Sequence, residues 1–155
     1  QTAAQAHGAG VGAIIDVQIG GKTDDRHGDP VRTRARVQAL CDGQFVYRGP
    51  MCQGLRDDLG PTARLGVGGV EVVVSTNRLQ TFDAEMFRIA GVNPENCRLL
   101  VLKSAVHFRA DFGQFATDIL DGDTPGIHRP DFEAFRYRKL RRPIYPLDRG
   151  ISLQS

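Results

Sequence analysis

The sequence predicts a mixed α/β fold of the α+β kind, with antiparallel hairpins plus a helix–strand–helix unit around a mixed sheet, in a single domain. Three observations predict it. Strand-like runs joined by glycine turns fill the first half of the chain. A helical pattern, an apolar run and a second helical pattern then follow in that order. A chain of 155 residues is long enough to bury one core.

The first predicted elements are a helix and two strands. Residues 1–10 are rich in alanine and predict a helix that stops at Gly8 or Gly10. Residues 11–21 predict a strand closed by a glycine pair. Residues 31–40 alternate, and the polar side chains that share one face are Arg32, Arg34, Arg36 and Gln38. This alternation predicts a half-solvated strand with an arginine face.

A hairpin and a short helix come next. Residues 62–78 predict two strands around Gly68-Gly69, after a strand that begins near Phe45. The second strand of the hairpin is nearly all apolar, which predicts burial on both of its faces. The helix that follows has Asp83 as its predicted N-cap and Gly91 as its predicted C-terminal stop.

The stretch "RLLVLKSAVHFRADF", residues 98–112, predicts a buried strand that runs into a helix. Ser104 is the predicted N-cap of this helix, and its phenylalanines recur at helical spacing as Phe108, Phe112 and Phe115. The tail that follows mixes cations, aromatics and prolines, which indicates a wrapped segment with its aromatics buried, lying on its own domain or on a partner.

Composition excludes several classes of protein. The net charge of +2 is close to neutral, so composition does not indicate a nucleic-acid partner. No apolar run reaches the length of a membrane span, and no secretory signal opens the chain. Three cysteines without a CxxC spacing indicate free thiols in a reducing cytoplasm, the expected location. Because the sequence opens on Gln1, we expect a trimmed chain or a piece of a longer one.

Three kinds of chemistry are weakly supported. Gly21-Lys22-Thr23 lacks the upstream glycine of a phosphate-binding loop, and turn residues follow it where a helix is needed. The four histidines are far apart, so no metal site is expected in this chain, although the loop around His27 could hold a cation loosely. Ser104 and His107 share a helical face, but a capping serine is a poor nucleophile, so no catalytic residue is assigned.

An anion site at the start of the second helix is the stronger hypothesis. Lys103, Ser104 and Arg109 would surround a helix N-terminus, and Arg78 follows another strand end. The bland alternative is that the cations pair with nearby carboxylates such as Asp111 or Asp118, and the residues do not separate the two. This hypothesis leads to one reading of function, a stand-alone, non-catalytic module that binds a small anionic ligand at a helix N-terminus.

The motifs taken together resemble the microcystinase C (MlrC) family of zinc metallopeptidases, and specifically its C-terminal domain. The resemblance covers about residues 9–148 and rests on an ordered set of motifs: "GGKTDDRHGDPV", "FVYRGPM", "LGPTARLGVGGVEVVVSTNRLQTFD", "VLKSAVHFRADF" and "RRPIYPLD". It implies a domain over residues 1–148, followed by a tail at 149–155. It also implies a family activity on linearised microcystin and related small peptides.

The resemblance implies that zinc is bound outside this chain, in an N-terminal zinc domain of the same protein that is absent here. The implied partners are that domain and a peptide or small anionic ligand, with no nucleic acid and no membrane; a homo-oligomer stays open. The implied substrate-binding residues complete a pocket facing the zinc domain: Lys103, Ser104, His107, Arg109, Arg78 and Lys22. Packing between the two domains would explain the same residues. The isolated chain is predicted to be inactive.

Overall fold

A four-stranded antiparallel sheet and a smaller two-stranded sheet organise the first half of the chain. The computed structural model describes residues 1–25, 28–122, 124 and 131–150. Within these residues the elements are α1 Thr2–Ala9, β1 Ile14–Ile19, β2 Val31–Cys41, β3 Gln44–Val46, β4 Arg56–Asp58, β5 Thr62–Val67, β6 Val70–Val74, α2 Glu85–Arg88 and α3 Arg109–Phe112. Short 3₁₀ turns lie at Pro94–Asn96 and Phe132–Ala134.

The larger sheet has the strand order β1-β2-β5-β6. Strand β2 alternates as the sequence predicts: Ala35 and Val37 are buried, while Arg34 and Arg36 are exposed on the opposite face. The buried side chains form a core with α1, and this core consists of Ala6, Val17, Ala35, Val37, Ala63 and Leu65. The β3–β4 hairpin is inserted between β2 and β5, which is why two strands distant in sequence are neighbours in the sheet.

Helix α1 closes one face of this sheet. Ala6 is fully buried, since a small side chain lets the helix lie close to the strands. The Thr2 hydroxyl donates to the Gln18 carbonyl at 2.8 Å, and His7 Nε2 lies 3.1 Å from the Thr62 carbonyl. The helix ends at Gly10, whose φ of 84° is accessible to glycine at little cost. The predicted helix and stop are confirmed.

Two aromatic clusters extend the core beyond the sheet. The first contains Phe45, Tyr47, Leu59 and Met86, with Phe82 stacked on Tyr47 at a ring-centroid distance of 5.1 Å. The second joins α2 to α3 and contains Ala84, Phe87, Phe108 and Phe112. Of the phenylalanines at helical spacing, Phe108 and Phe112 are buried in this cluster, and Phe115 packs against it half-buried.

The predicted class is confirmed: a mixed α/β domain with antiparallel sheets and few helices. Both sheets are antiparallel throughout the described residues, so the parallel pairing implied by a mixed sheet is not formed there. Strand β6 is an edge strand, and Val70 is 62% exposed. The prediction that this strand is buried on both faces was therefore wrong, because an apolar composition does not place a strand at the centre of a sheet.

The predicted strand–helix unit at residues 98–112 is also different. Residues 98–104 form no strand and pair with none of the described strands, and the helix that follows is one turn long, from Arg109 to Phe112. Phe108 occupies the N-cap position, so the prediction that Ser104 caps this helix was wrong. A strand requires a neighbouring strand, and the described residues supply none at this place.

Candidate functional site

Gln80 holds two of the predicted site residues together. Its amide nitrogen donates to the Ser104 hydroxyl at 3.2 Å, and its amide oxygen lies 3.2 Å from His107 Nδ1. Because that oxygen can only accept, His107 Nδ1 donates in this contact. One side chain therefore fixes both the Ser104 hydroxyl and the orientation of the imidazole.

Lys103 and Arg109 lie on either side of this contact in the sequence, but they differ in whether their charge is paired. Lys103 is exposed and has no hydrogen bond or ion pair within the described residues. Arg109 donates to Asp121 Oδ1 at 2.5 Å, and its guanidinium carbon lies 5.2 Å from the centre of the Phe108 ring. The alternative that the cations pair with nearby carboxylates thus holds for Arg109, although its partner is neither Asp111 nor Asp118. Within the described residues, the Lys103 ammonium group is therefore free.

The other two predicted cations lie apart from this contact. Arg78 is exposed, two residues before Gln80, and it makes no ion pair in the part of the chain that the structure describes. Lys22 donates from Nζ to the Thr2 hydroxyl at 2.7 Å, which ties it to the beginning of α1. The structure brings Ser104 and His107 together, and it does not bring Lys22 into contact with them.

The helix N-terminus that motivated the anion-site hypothesis is not at Ser104. Helix α3 begins five residues later, at Arg109, and has only four residues. One turn provides little of the aligned dipole that favours an anion. Any anion at Lys103 would therefore be bound by side chains rather than by a helix end.

Two carboxylates, Asp83 and Asp111, meet backbone N–H groups at a junction that the sequence did not predict. Asp83 is 1% exposed, and its Oδ2 accepts from the backbone N–H of Arg48 at 3.0 Å and of Gly49 at 2.7 Å. Its Oδ1 accepts from the Glu85 N–H at 2.9 Å. Asp111 Oδ2 accepts from the neighbouring Ala84 N–H at 2.7 Å. Backbone donors thus satisfy both carboxylates, which is a structural arrangement.

Gly49 fits between these two carboxylates because it has no side chain. A Cβ atom there would lie 2.8 Å from Asp111 Cγ and 3.0 Å from Asp83 Oδ2. Three motifs of the family resemblance meet at this point: "FVYRGPM" through Gly49, "TFD" through Asp83 and "FRADF" through Asp111. The presence of all three residues in motifs of the same family was the signal that could have pointed to this junction. Their separation along the chain gives no indication that they are in contact.

Metal-ligating groups are sparse in the described residues. Among them, no group of three or more His, Cys, Asp or Glu side chains could hold a metal ion, so zinc has no fitting site there. His27, in the loop that could hold a cation loosely, lies outside the described residues, as does His128. The three cysteines are free thiols, and burial raises the pKa of the Cys41 thiol, which makes it less reactive.

None of the described helices is long and apolar enough to cross a membrane.

Comparison with known proteins identifies the family of this chain and several similar proteins. The family model described as MlrC C-terminus matches residues 1–139. Microcystinase C from Sphingomonas sp. is 28% identical over 141 residues, which are 90% of this chain and 26% of that protein. A crystal structure of a proposed metallopeptidase from Mesorhizobium sp. BNC1 superposes with a TM-score of 0.79 at 28% identity. The superposition covers 100% of this chain and 30% of the Mesorhizobium chain. This chain therefore spans less than a third of the length of either relative.

Proposed function

The chain belongs to the MlrC C-terminus family, and on that premise we propose that it is the C-terminal domain of a microcystinase C-like metallopeptidase. In this proposal it packs on a larger metal-bearing region in the cytoplasm and completes a pocket for small or linearised peptides. The metal is zinc and is bound by that other region. When bound, zinc supplies a Lewis acid that activates water and polarises the peptide carbonyl.

The free ammonium group of Lys103 is the observation that carries the pocket proposal. Lys103 directly precedes Ser104 in the chain, and Gln80 contacts both Ser104 and His107. A linear peptide ends in a carboxylate, which a lysine binds as a point charge. Ser104 and the Nε2 atom of His107 would meet the polar groups of the peptide, while Gln80 acts as a positioning residue.

The remaining predicted cations have lesser roles in this proposal. Arg109 already pairs with Asp121, so its charge is largely compensated within the domain. Arg78 is free and close in sequence to Gln80, and it would add positive potential at the rim of the pocket. Lys22 would contribute only if the metal-bearing region brings the α1 end of the domain to the same interface.

The stand-alone anion-binding module is less well supported. It depended on a helix N-terminus at Ser104, and α3 begins at Arg109 instead. Two shallow depressions of about 410 and 390 Å³ lie on the arginine face of the sheet, and neither is lined by Lys103, Ser104 or His107. Exposed apolar residues, including Leu99 and Val101, precede Lys103 instead, which favours a docked protein region.

A peptide pair tests the pocket in the protein that joins this chain to its metal-bearing region. Lys103→Ala should raise KM about tenfold for a peptide with a free C-terminal carboxylate, since one charged hydrogen bond of about 1.5 kcal/mol is lost. The same peptide as a C-terminal amide should be unaffected. Arg32→Ala, which removes an exposed cation from the sheet face, is the matched control. Equal losses for both peptides would contradict the carboxylate role.

The division of labour has a separate test. The gene product should have an intact mass well above that of this chain and should carry stoichiometric zinc. The isolated chain supplied with zinc should cleave no peptide. Chelator-sensitive cleavage by the isolated chain would show that the metal-bearing region is not required.

A further inference from the structure

Residues 98–103 form neither a helix nor a strand, and no described strand pairs with them. Leu99 is 77% exposed and Val101 is 82% exposed, whereas Leu100 and Leu102 are half-buried against the Phe108 and Phe112 cluster. This alternation is the side-chain period of a β-strand. Among the described residues, no backbone hydrogen bond involves residues 98–105. The segment therefore has the side-chain alternation of a strand, but the described residues provide neither a neighbouring strand nor a cover over its second face.

The composition of this segment is typical of a strand that is also covered on its second face, the face of Leu99 and Val101. Four consecutive apolar residues, "LLVL", are typical of a strand buried on both sides. Two large aliphatic side chains exposed side by side, next to unpaired backbone N–H and C=O groups, form a template for another strand. Soluble proteins protect such edges with charges, prolines or bulges, and residues 99–102 contain none of these.

We propose that residues 98–103 pair as a β-strand with a strand of the larger N-terminal region of the same protein. This inference rests on the proposed function and names the contact by which the two regions join. The occupant follows from the relatives: the matched part is 26% of microcystinase C and 30% of the Mesorhizobium chain. The family model describes a C-terminus, so the additional polypeptide of such proteins precedes this domain.

The pairing also places the candidate site. Lys103 is the last residue of the proposed strand, and Ser104 and His107 follow directly. Gln80 holds the chain just beyond the strand, so the free Lys103 ammonium would lie at the border between the two regions. Strand pairing and pocket formation would then use one continuous segment.

Hydrogen exchange tests the pairing directly. The amides of residues 99–103 are compared in the isolated chain and in the protein joined to its N-terminal region. In the joined protein at least every second amide should exchange on the order of 100-fold more slowly, because those N–H groups donate to the neighbouring strand. Amides of β2 should be protected in both samples, which shows that the isolated chain is folded. Equal rates at residues 99–103 would overturn the proposal.

A second copy of the chain is the competing occupant. Protection of residues 99–103 in the isolated chain that rises with concentration, together with a dimer mass, would assign the edge to self-association and overturn the proposal. Protection that appears only when the N-terminal region is present supports the proposal.

A paired substitution adds a test of the covered face. Leu99→Glu with Val101→Glu should make the joined protein at least about tenfold more sensitive to proteolysis between residues 98 and 105, because two charges would have to be buried. The isolated chain should be unaffected, and Val70→Glu, which changes another exposed apolar residue, is the control. The result is independent of the Lys103→Ala assay. Amide protection at residues 99–103 without a carboxylate effect of Lys103→Ala would support the strand pairing and contradict the pocket. A carboxylate effect without amide protection would contradict the strand pairing.

Discussion

Residues 1–97, the packed region, and residues 98–122 and 131–150, the open region, use their apolar side chains in opposite ways. In the packed region most of them fill the cores around α1, β1–β6 and α2. Among the described residues of the open region, Phe108 and Phe112 are the buried hydrophobic ones. Large exposed hydrophobic residues outnumber these buried ones in the open region: Leu99, Val101, Val106, Leu120, Phe132, Phe135, Tyr137, Leu140, Ile144 and Tyr145. The open region therefore presents a surface that this chain does not cover.

The difference arises from where each region finds its partners. Strands of the packed region pair with one another, and α1 packs on the larger sheet. The tail of the open region is tied mainly to itself: Arg142 Nε donates to Asp148 Oδ2 at 2.6 Å, and the Ile144 N–H donates to the same oxygen at 2.6 Å. This contact lowers the pKa of Asp148, so the tie persists into acidic solution. The aromatics of the tail are exposed, so they are not buried against this domain, and their burial on a partner stays a prediction.

Two leucine truncations give the largest expected contrast between the regions. Leu65 is 0% exposed and Leu99 is 77% exposed. Leu65→Ala should lower the free energy of unfolding of the isolated chain by about 3 kcal/mol, because it leaves a cavity in the core. Leu99→Ala should change it by less than about 0.5 kcal/mol. Chemical denaturation measures both, and equal losses would mean that the open region packs in solution.

Loss of the buried Asp83 carboxylate in the packed region should come next in magnitude. Asp83→Ala leaves the backbone donors of Arg48, Gly49 and Glu85 without an acceptor. We expect a loss of about 2–3 kcal/mol in the free energy of unfolding. Asp42→Ala removes an exposed carboxylate with one backbone donor, the Gln44 N–H, and should cost less than about 1 kcal/mol. Matching losses for the two variants would show that burial of Asp83 adds nothing.

Adding one methyl group at the same junction should destabilise the chain somewhat less. Gly49→Ala would place a Cβ atom 2.8 Å from Asp111 Cγ, and the resulting shift should cost about 1–3 kcal/mol. Gly8→Ala is the matched control, since nothing lies within 4 Å of its Cβ position in helix α1. That change should stabilise the chain by about 0.5–1 kcal/mol. Thermal unfolding that shifts in the same direction for both variants would contradict the steric explanation.

Tyr47 gives the smallest predicted effect, and it depends on pH. Burial, and then the hydrogen bond to Asp57, raise the pKa of the Tyr47 phenol above its ordinary value. The unfolded chain therefore loses this proton first, and the contribution of Tyr47 to stability falls as pH rises above about 10. Tyr47→Phe should cost about 1 kcal/mol at neutral pH, and this difference should shrink above pH 10. Urea titrations of both proteins at several pH values measure it; a difference that grows with pH would contradict the assignment.

Much of the packed region could be predicted because its signals are local. The alternation of β2 predicts which side chains are buried, and Gly68-Gly69 predicts the turn between β5 and β6. In the candidate site, sequence proximity brought Ser104 and His107 to attention, but it did not reveal Gln80. The contact between Gln80 and both residues joins segments 24 to 27 residues apart, and no periodic pattern records such a contact.

The sequence by itself determined the family, the fold class, the hairpin turns and the faces of β2, because composition and period are set within a few residues. The tertiary structure alone decided that residues 98–104 remain unpaired, that α3 begins at Arg109, and that Gly49 lies between Asp83 and Asp111. The physical reason is that a strand and a buried carboxylate both require partners, and those partners come from elsewhere in space. An apolar run states that a segment is suited to burial, whereas only the folded chain shows whether a partner is present.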